Sequence, residues 1–278
     1  MIRVFLSLCL AVLCHASEPQ RIISVSPNVT EILYGLGVFD RVVAVSEYCT
    51  YPPEVKNLPR VGGWANPNLE KLSVLRPDLV IFTEAQAPFL ADGLKALGIR
   101  YLQIPSQSLN DAFTAMRDIG HAVGREAEAR ELERRTRASL DEVRTRAHGL
   151  PKRTVLCVVD RTPGTLRELY AVTEGSFLAE LIEIAGGIPI APPARAGYGK
   201  MSKEAILARN PEVIVDFVHG ARGKLAEDSL AVWRDLPELK AVRDHRVFAV
   251  HNEFFPHCSQ FVAETAKRFA EMIHPEAR

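Results

Sequence analysis

The stretch Arg125-Glu-Ala-Glu-Ala-Arg-Glu-Leu-Glu-Arg-Arg-Thr-Arg-Ala-Ser-Leu-Asp-Glu-Val-Arg-Thr-Arg-Ala147 decides the architecture. Thirteen of its 23 residues are charged, and it contains neither Gly nor Pro. Ala129, Leu132, Thr136, Leu140, Val143 and Ala147 recur at spacings of three and four, one narrow apolar stripe on a single helix. At ~1.5 Å per residue that helix is about 35 Å long. Gly124 precedes it, and Gly149 and Pro151 follow it, as expected of helix boundaries. The stripe residues are too small for a coiled-coil seam. The pattern predicts instead a strut between two lobes, which limits their relative movement to small displacements.

On both sides of the strut, short apolar runs alternate with helical segments. Ile22 to Val25, Val42 to Val45, Leu79 to Phe82 and Tyr101 to Ile104 read as strands before it. Val155 to Val159, Val213 to Val218 and Val247 to Val250 read as strands after it. Continuous apolar runs are the pattern of strands covered on both faces, so parallel α/β sheets are expected. The two parts also echo each other. Asn68-Leu-Glu-Lys-Leu-Ser-Val-Leu-Arg-Pro-Asp-Leu-Val-Ile81 and Ser202-Lys-Glu-Ala-Ile-Leu-Ala-Arg-Asn-Pro-Glu-Val-Ile-Val215 each give an N-cap, Glu two positions on, a helix, a Pro stop, an acid and a strand. Thr30 to Gly37 and Phe177 to Gly187 form a second pair, which argues for duplicated lobes. The organisation read from the sequence is a leader at 1–16, a lobe at 17–124, the connecting helix at 125–149 and a lobe at 150–278.

The leader is Arg3, the apolar run Val4 to Leu13, then Cys14-His15-Ala16-Ser17. A charged start, a short apolar core and a small residue at the cleavage point are the marks of a secretory signal peptide. The run is too short to span a bilayer, which takes ~20 apolar residues. An exported protein, cleaved after Ala16, is expected in the periplasm; lipid attachment at Cys14 is the weaker reading, because Leu13 is bulky. Cys49, Cys157 and Cys258 then remain, an odd number that yields no complete disulfide framework. Cys157 lies in a strand pattern as a small core residue, and a Cys49–Cys258 bond is left open.

The 278 residues hold 34 Lys plus Arg against 34 Asp plus Glu. A phosphate-backbone partner calls for a basic excess, so nucleic acid is not expected. No G-x-G-x-x-G, Walker, G-x-S-x-G or H-E-x-x-H pattern occurs. His251 and His257 lie in a loop without a recognised ligand spacing, so no protein metal site is expected. An exported α/β enzyme using His251, His257 and Glu253 is the rival from another class, without a nucleophile–base signature behind it.

The loops after the strands are rich in rings: Tyr48 and Tyr51, Trp64, Tyr198, Phe254 and Phe255. Open α/β sheets place ligands there. Each ring by itself reads equally well as a plug at the core's edge; together, rings from both lobes line one cleft for a broad, flat ligand. Glu70 and Glu204 share the N2 position of the two echoed helices, where a carboxylate complements the helix dipole by ~0.3–1 kcal/mol. The same pair also offers one exposed acidic knob per lobe to a two-fold symmetric partner carrying Arg.

Ser24-Val-Ser-Pro-Asn-Val-Thr-Glu31, Tyr51-Pro-Pro-Glu54, Arg60-Val-Gly-Gly-Trp64, Asn68-Leu-Glu70, Gly175-Ser-Phe177, Ala185-Gly-Gly187 and Ser202-Lys-Glu204 carry a resemblance. Over essentially the whole mature chain the sequence resembles the helical-backbone, class III periplasmic binding proteins of metal-chelate ABC importers, most of all the cobalamin-binding members. The resemblance implies two Rossmann-like lobes with parallel sheets, a ligand in the cleft, no enzymatic chemistry and no resident cofactor. It implies a monomer that delivers cobalamin or a related corrinoid to an inner-membrane permease dimer whose arginines meet Glu70 and Glu204. By position, Tyr48, Trp64 and Tyr198 match ring contacts to the corrin, and Glu253 and Phe254 match contacts in the last loop. Thr83 stands where some cobalamin binders carry another ring, and His257 where some carry Arg, so an axial approach of His257 to a metal is conceivable. Cobinamide, haem and ferric siderophores therefore stay open as ligands.

Overall fold

A computed structural model describes residues 18–194, 197–217, 230–250 and 257–277. The predicted leader at 1–16, and with it Cys14, lies outside the described residues, as do His251, Glu253 and Phe254. The first lobe runs β1 (Ile22–Ser24), α1 (Pro27–Gly35), β2 (Val42–Val45), α2 (Leu69–Val74), β3 (Leu79–Thr83), α3 (Ala87–Ala96), β4 (Tyr101–Ile104) and α4 (Leu109–Ala122). The long helix is α5 (Glu126–Ala147). The second lobe follows with β5 (Arg153–Asp160), β6 (Leu169–Val172), α6 (Phe177–Ile184), β7 (Gly187–Pro189), β8 (Tyr198–Met201), α7 (Lys203–Arg209), β9 (Val213–Phe217), α8 (Ala231–Arg234), α9 (Lys240–Arg243), β10 (Val247–Val250) and α10 (Val262–Ile273). Among the described residues no helix is long and apolar enough to cross a membrane.

The duplication read from sequence extends through the whole fold. The first sheet has the order β2-β1-β3-β4, all parallel. In the second, β7-β5-β9-β10 repeats that order in parallel. Two strands are added: β6 pairs antiparallel with β5, and β8 antiparallel with β6. The second sheet is thus parallel-rich rather than wholly parallel. β8 carries no continuous apolar run, so periodicity gave no sign of it, whereas β6 is the apolar run Leu169-Tyr-Ala-Val172, missed among the strands expected from the sequence.

The echoed segments match in detail. Asn68 Oδ1 accepts from the Lys71 N–H at 2.9 Å, and Ser202 Oγ accepts from the Ala205 N–H at 3.2 Å. Each helix is followed by a residue in the left-handed region, Arg76 (φ 46°) and Asn210 (φ 43°). Then comes the Pro and an acid that pins the entrance of the neighbouring strand. Asp78 accepts from the Gln20 and Arg21 N–H groups at 2.8 and 3.0 Å. Glu212 accepts from the Thr154 N–H at 3.1 Å. These local partners satisfy helix-end and strand-end groups that would otherwise be unpaired.

Alternation along the buried strands divides the core into three. Ile23, Val25, Val80 and Phe82 pack outward on Leu72, Leu90 and Leu94 of α2 and α3. Leu156, Val158 and Ile214 pack outward on Ile206, Trp233 and Ala241. The inner faces share one core: Ile22, Leu79 and Ile81 from the first sheet, Val155, Cys157, Val213 and Val215 from the second, with α1, α4, α5, α6 and α10 between them. The predicted stripe of α5 is the buried set Ala129, Leu132, Thr136, Leu140, Val143 and Ala147. A core continuous across both lobes makes α5 part of a wall, since separating the lobes would expose apolar surface at about 25 cal/mol per Å².

The three described cysteines are free and buried, so the Cys49–Cys258 bond left open by the sequence is not formed. Cys49 takes hydrogen bonds from Thr30 Oγ1 at 3.1 Å and shares one with Ser46 Oγ at 3.2 Å inside the first lobe. Cys258 Sγ instead points to the Ser108 carbonyl at 3.5 Å. Burial pushes both thiols above the ordinary value, which keeps them protonated and inert.

Candidate functional site

Tyr48 lies in the loop after β2. Arg60 Nη1 donates to the carbonyls of Ser46 at 2.9 Å and Cys49 at 2.6 Å, so the loop is folded over a buried thiol with its ring turned out. Tyr48 is 58% exposed. The following turn needs its glycines. Gly62 has φ +101°, and a Cβ there would meet the Asn66 carbonyl oxygen at 2.5 Å. A Cβ on Gly63 would meet Asn66 Oδ1 at 2.5 Å and Tyr48 Cε2 at 3.5 Å, so the Tyr48 ring borders this turn. Trp64, the next residue, is 40% exposed and meets Phe89 edge-on, with ring centroids 5.8 Å apart.

Gln86, which the sequence reading missed, holds this edge together. It is fully buried. Its Nε2 donates to the Val25 carbonyl at 3.1 Å and to the Trp64 carbonyl at 3.4 Å. Its Oε1 accepts from the Thr83 N–H at 3.2 Å and the Thr83 hydroxyl at 3.3 Å. One side chain therefore ties the ends of β1 and β3 to the Trp64 turn. Thr83 is buried with its hydroxyl directed to Gln86, so its role here is to hold the edge. The signal for Gln86 was present as Thr83-x-x-Gln86, a capping-box spacing.

In the second lobe Tyr198 opens β8, paired with Val172. It is half-buried against the shared core, and burial, with the nearby Cys157 and Cys258 sulfurs, raises its phenol above the ordinary value. Gly197 before it has φ +73°, and a Cβ there would meet Ser176 Cβ at 2.8 Å. Tyr198 lies in the β7-to-α7 connection, the counterpart of the β2-to-α2 connection that carries Tyr48 and Trp64. His257 precedes α10, and its Nδ1 lies 2.6 Å from Glu31 Oε1. Ser259 Oγ donates to the other oxygen of the buried Glu31 carboxylate, and Gln260 Nε2 donates to the Glu31 carbonyl at 2.7 Å.

The two lobes meet along the edge where the strands of the first sheet end. Asn28, just past β1, reaches the Cys258 carbonyl at 3.5 Å. Past β4, the Gln107 carbonyl accepts from the Phe177 N–H at 2.7 Å, and the Leu109 N–H donates to Glu180 at 2.8 Å. Tyr48 borders the turn that carries Trp64, and in the second lobe Tyr198 lies near Cys258, which follows His257 in the chain. Among the described residues no three His, Cys, Asp or Glu side chains are placed to hold a metal ion. Glu70 and Glu204 are exposed at N2 of α2 and α7, as their spacing predicts. The Glu204 backbone N–H and the Ser202 hydroxyl hold that carboxyl below its usual range.

Paired α/β lobes joined by a core-sharing helix, with exposed rings in the loops of the first lobe, are the frame of a substrate-binding protein. The family model for periplasmic binding proteins matches residues 22–254, and the chain belongs to that family, the extracytoplasmic substrate-binding subunits of ABC importers rather than enzymes. It is similar to the uncharacterized ABC transporter substrate-binding lipoprotein YvrC of Bacillus subtilis, 32% identical over 93% of this chain and 81% of that one. A vitamin B12-binding protein of Yersinia pestis is 28% identical over 93% of this chain and 88% of its own. Among solved structures, a periplasmic heme-binding protein from Pseudomonas aeruginosa superposes with a TM-score of 0.79 at 23% identity, covering 94% of each chain.

Proposed function

We propose that this protein captures cobalamin or a related corrinoid between its two lobes and hands it to the permease dimer of its importer. The observation that carries this reading is the pair of exposed rings, Tyr48 and Trp64, held out from hydrogen-bonded turns of the first lobe, whose Tyr48 loop also meets the segment before α10 through the Tyr51–Phe261 ring contact at 5.2 Å. A corrin has broad apolar faces and a rim of amides, so stacking plus a few rim hydrogen bonds suits it. Tyr198 and His257 approach from the other lobe, and Glu253 and Phe254 complete the pocket in this reading. The likeness to a vitamin B12-binding protein supports the ligand class. Glu70 and Glu204 serve as the docking carboxylates, one per lobe. The protein works as a monomer in the periplasm after removal of residues 1–16, without nucleic acid; lipid attachment at Cys14 is the weaker reading, to which the likeness to a substrate-binding lipoprotein lends support. The core shared by the lobes favours a largely preformed cleft, which lowers the ordering cost of binding.

The test is calorimetric titration of the mature protein with cyanocobalamin, dicyanocobinamide, hemin and ferrichrome. Binding of a corrinoid is expected; tight binding of hemin with no corrinoid binding rejects the ligand assignment. Haem is the second reading, and one contact favours it. A histidine whose Nδ1 is tied to a carboxylate has its tautomer set for metal ligation through Nε2. A shift of the hemin Soret band that disappears in His257→Ala is its signature.

A further inference from the structure

Phe89 is 42% exposed in the first turn of α3, although it is a large apolar ring. The register of the helix puts it there. Leu90 and Leu94, four apart, face the core, so Phe89 is turned away from it. Gly93, on the same helix, packs so closely on Leu69 that a Cβ would lie 2.4 Å from Leu69 Cδ1, which fits the helix in this register. The turn entering α3 is locked by Gln86, the same side chain that holds the Trp64 carbonyl. The edge contact between Phe89 and Trp64, at 5.8 Å and 62°, leaves each ring with about two-fifths of its surface in water. Thr83, at the end of the intervening strand, offers no ring, and Phe89 six positions later does.

We infer that Phe89 is a ligand-contacting residue that extends the Trp64 wall and takes the outer part of a flat macrocycle's face. The inference deepens the proposed function and rests on that reading of the cleft. Two rings pre-set against each other lose little freedom on binding, so apolar area presented to a planar ligand becomes affinity.

The test compares the wild type with Phe89→Ala, Phe89→Tyr and Trp64→Ala, using calorimetry with cyanocobalamin, dicyanocobinamide and hemin and recording thermal melts. For whichever probe the wild type binds, Phe89→Ala is expected to weaken the Kd about tenfold with an unchanged melt. Phe89→Tyr, which keeps the ring, is expected to stay within about twofold. Two results overturn the inference while leaving the proposed cleft intact: Phe89→Ala within about twofold of wild type when Trp64→Ala weakens binding, or a Phe89→Ala loss that Phe89→Tyr fails to recover. If Trp64→Ala also binds normally, or the wild type binds none of the probes, the cleft reading itself falls and takes the inference with it.

Discussion

Glu31 on α1 and His257 before α10 are 226 positions apart in the chain and meet at 2.6 Å, joining the first lobe to the second. The Glu31 carboxylate is buried and accepts from Ser259 as well, while its backbone carbonyl accepts from Gln260. A buried acceptor with partners from the other lobe makes the junction specific as well as apolar. We predict that Glu31→Ala lowers unfolding free energy by about 3 kcal/mol, because it strands both His257 and Ser259. Glu31→Gln, which retains an acceptor oxygen, should lose less. Urea denaturation measures both, and equal losses would show that the one retained acceptor oxygen contributes nothing without the second oxygen and the charge.

Gln86 joins three segments through four hydrogen-bonding contacts. Gln86→Leu fills the same space but leaves the Val25 and Trp64 carbonyls without their donor. The expected cost is about 1–3 kcal/mol in stability. Ligand affinity should fall with it, because the Trp64 turn loses its anchor. Tryptophan fluorescence reports on the change, since Trp233 is buried and Trp64 is the exposed ring. An emission spectrum and a Kd both identical to wild type would refute the positioning role.

Glu70→Ala and Glu204→Ala should leave ligand affinity within about twofold, because both carboxylates are exposed in the first turns of α2 and α7. Complex formation with the cognate permease in detergent should weaken in each single variant and further in the double variant. Loss of ligand capture with intact permease binding would contradict the assignment of these two residues.

Acid should destabilise the protein in two stages. His274, at the end of α10, has its pKa lowered by burial and by the Arg153 charge. The folded state therefore binds fewer protons than the unfolded chain, and stability falls as pH drops below about 6.5. Glu276 is hydrogen-bonded to Arg153, which lowers its pKa to about 2. That stabilisation is complete above the unfolded carboxyl value and is lost as pH falls from about 4.5 towards 2. Melting temperature followed against pH checks both stages. His274→Gln should flatten the first stage while the second, held by the Arg153–Glu276 pair, persists.

The strands at 22–24, 42–45, 79–83, 101–104, 213–217 and 247–250 were legible because each is a short apolar run between turn residues. The strut was legible because a stripe at spacings of three and four on a charged helix has one meaning in water. β6, the apolar run Leu169-Tyr-Ala-Val172, was overlooked, and β8 was not legible. Tyr198-Gly-Lys-Met201 has no apolar run, and it is a strand because β6 lies beside it. Of the candidate site, Tyr48, Trp64 and Tyr198 were visible as rings in loops. Gln86 showed only the Thr83-x-x-Gln86 capping-box spacing, which does not reveal its contacts to Val25 and Trp64, and Phe89, a ring next to Pro88, looks like any surface turn until its partner is in place.

Local grammar alone therefore determined the lobes, the duplication and the two acidic knobs, because caps, stops and apolar periods act over a few neighbouring residues. Tertiary structure alone decided that Cys49 and Cys258 stay apart, that Thr83 turns inward to Gln86, and that Glu31 clasps His257. Each of those depends on which distant atoms fill the space around a side chain, and a linear order of residues does not carry that distance.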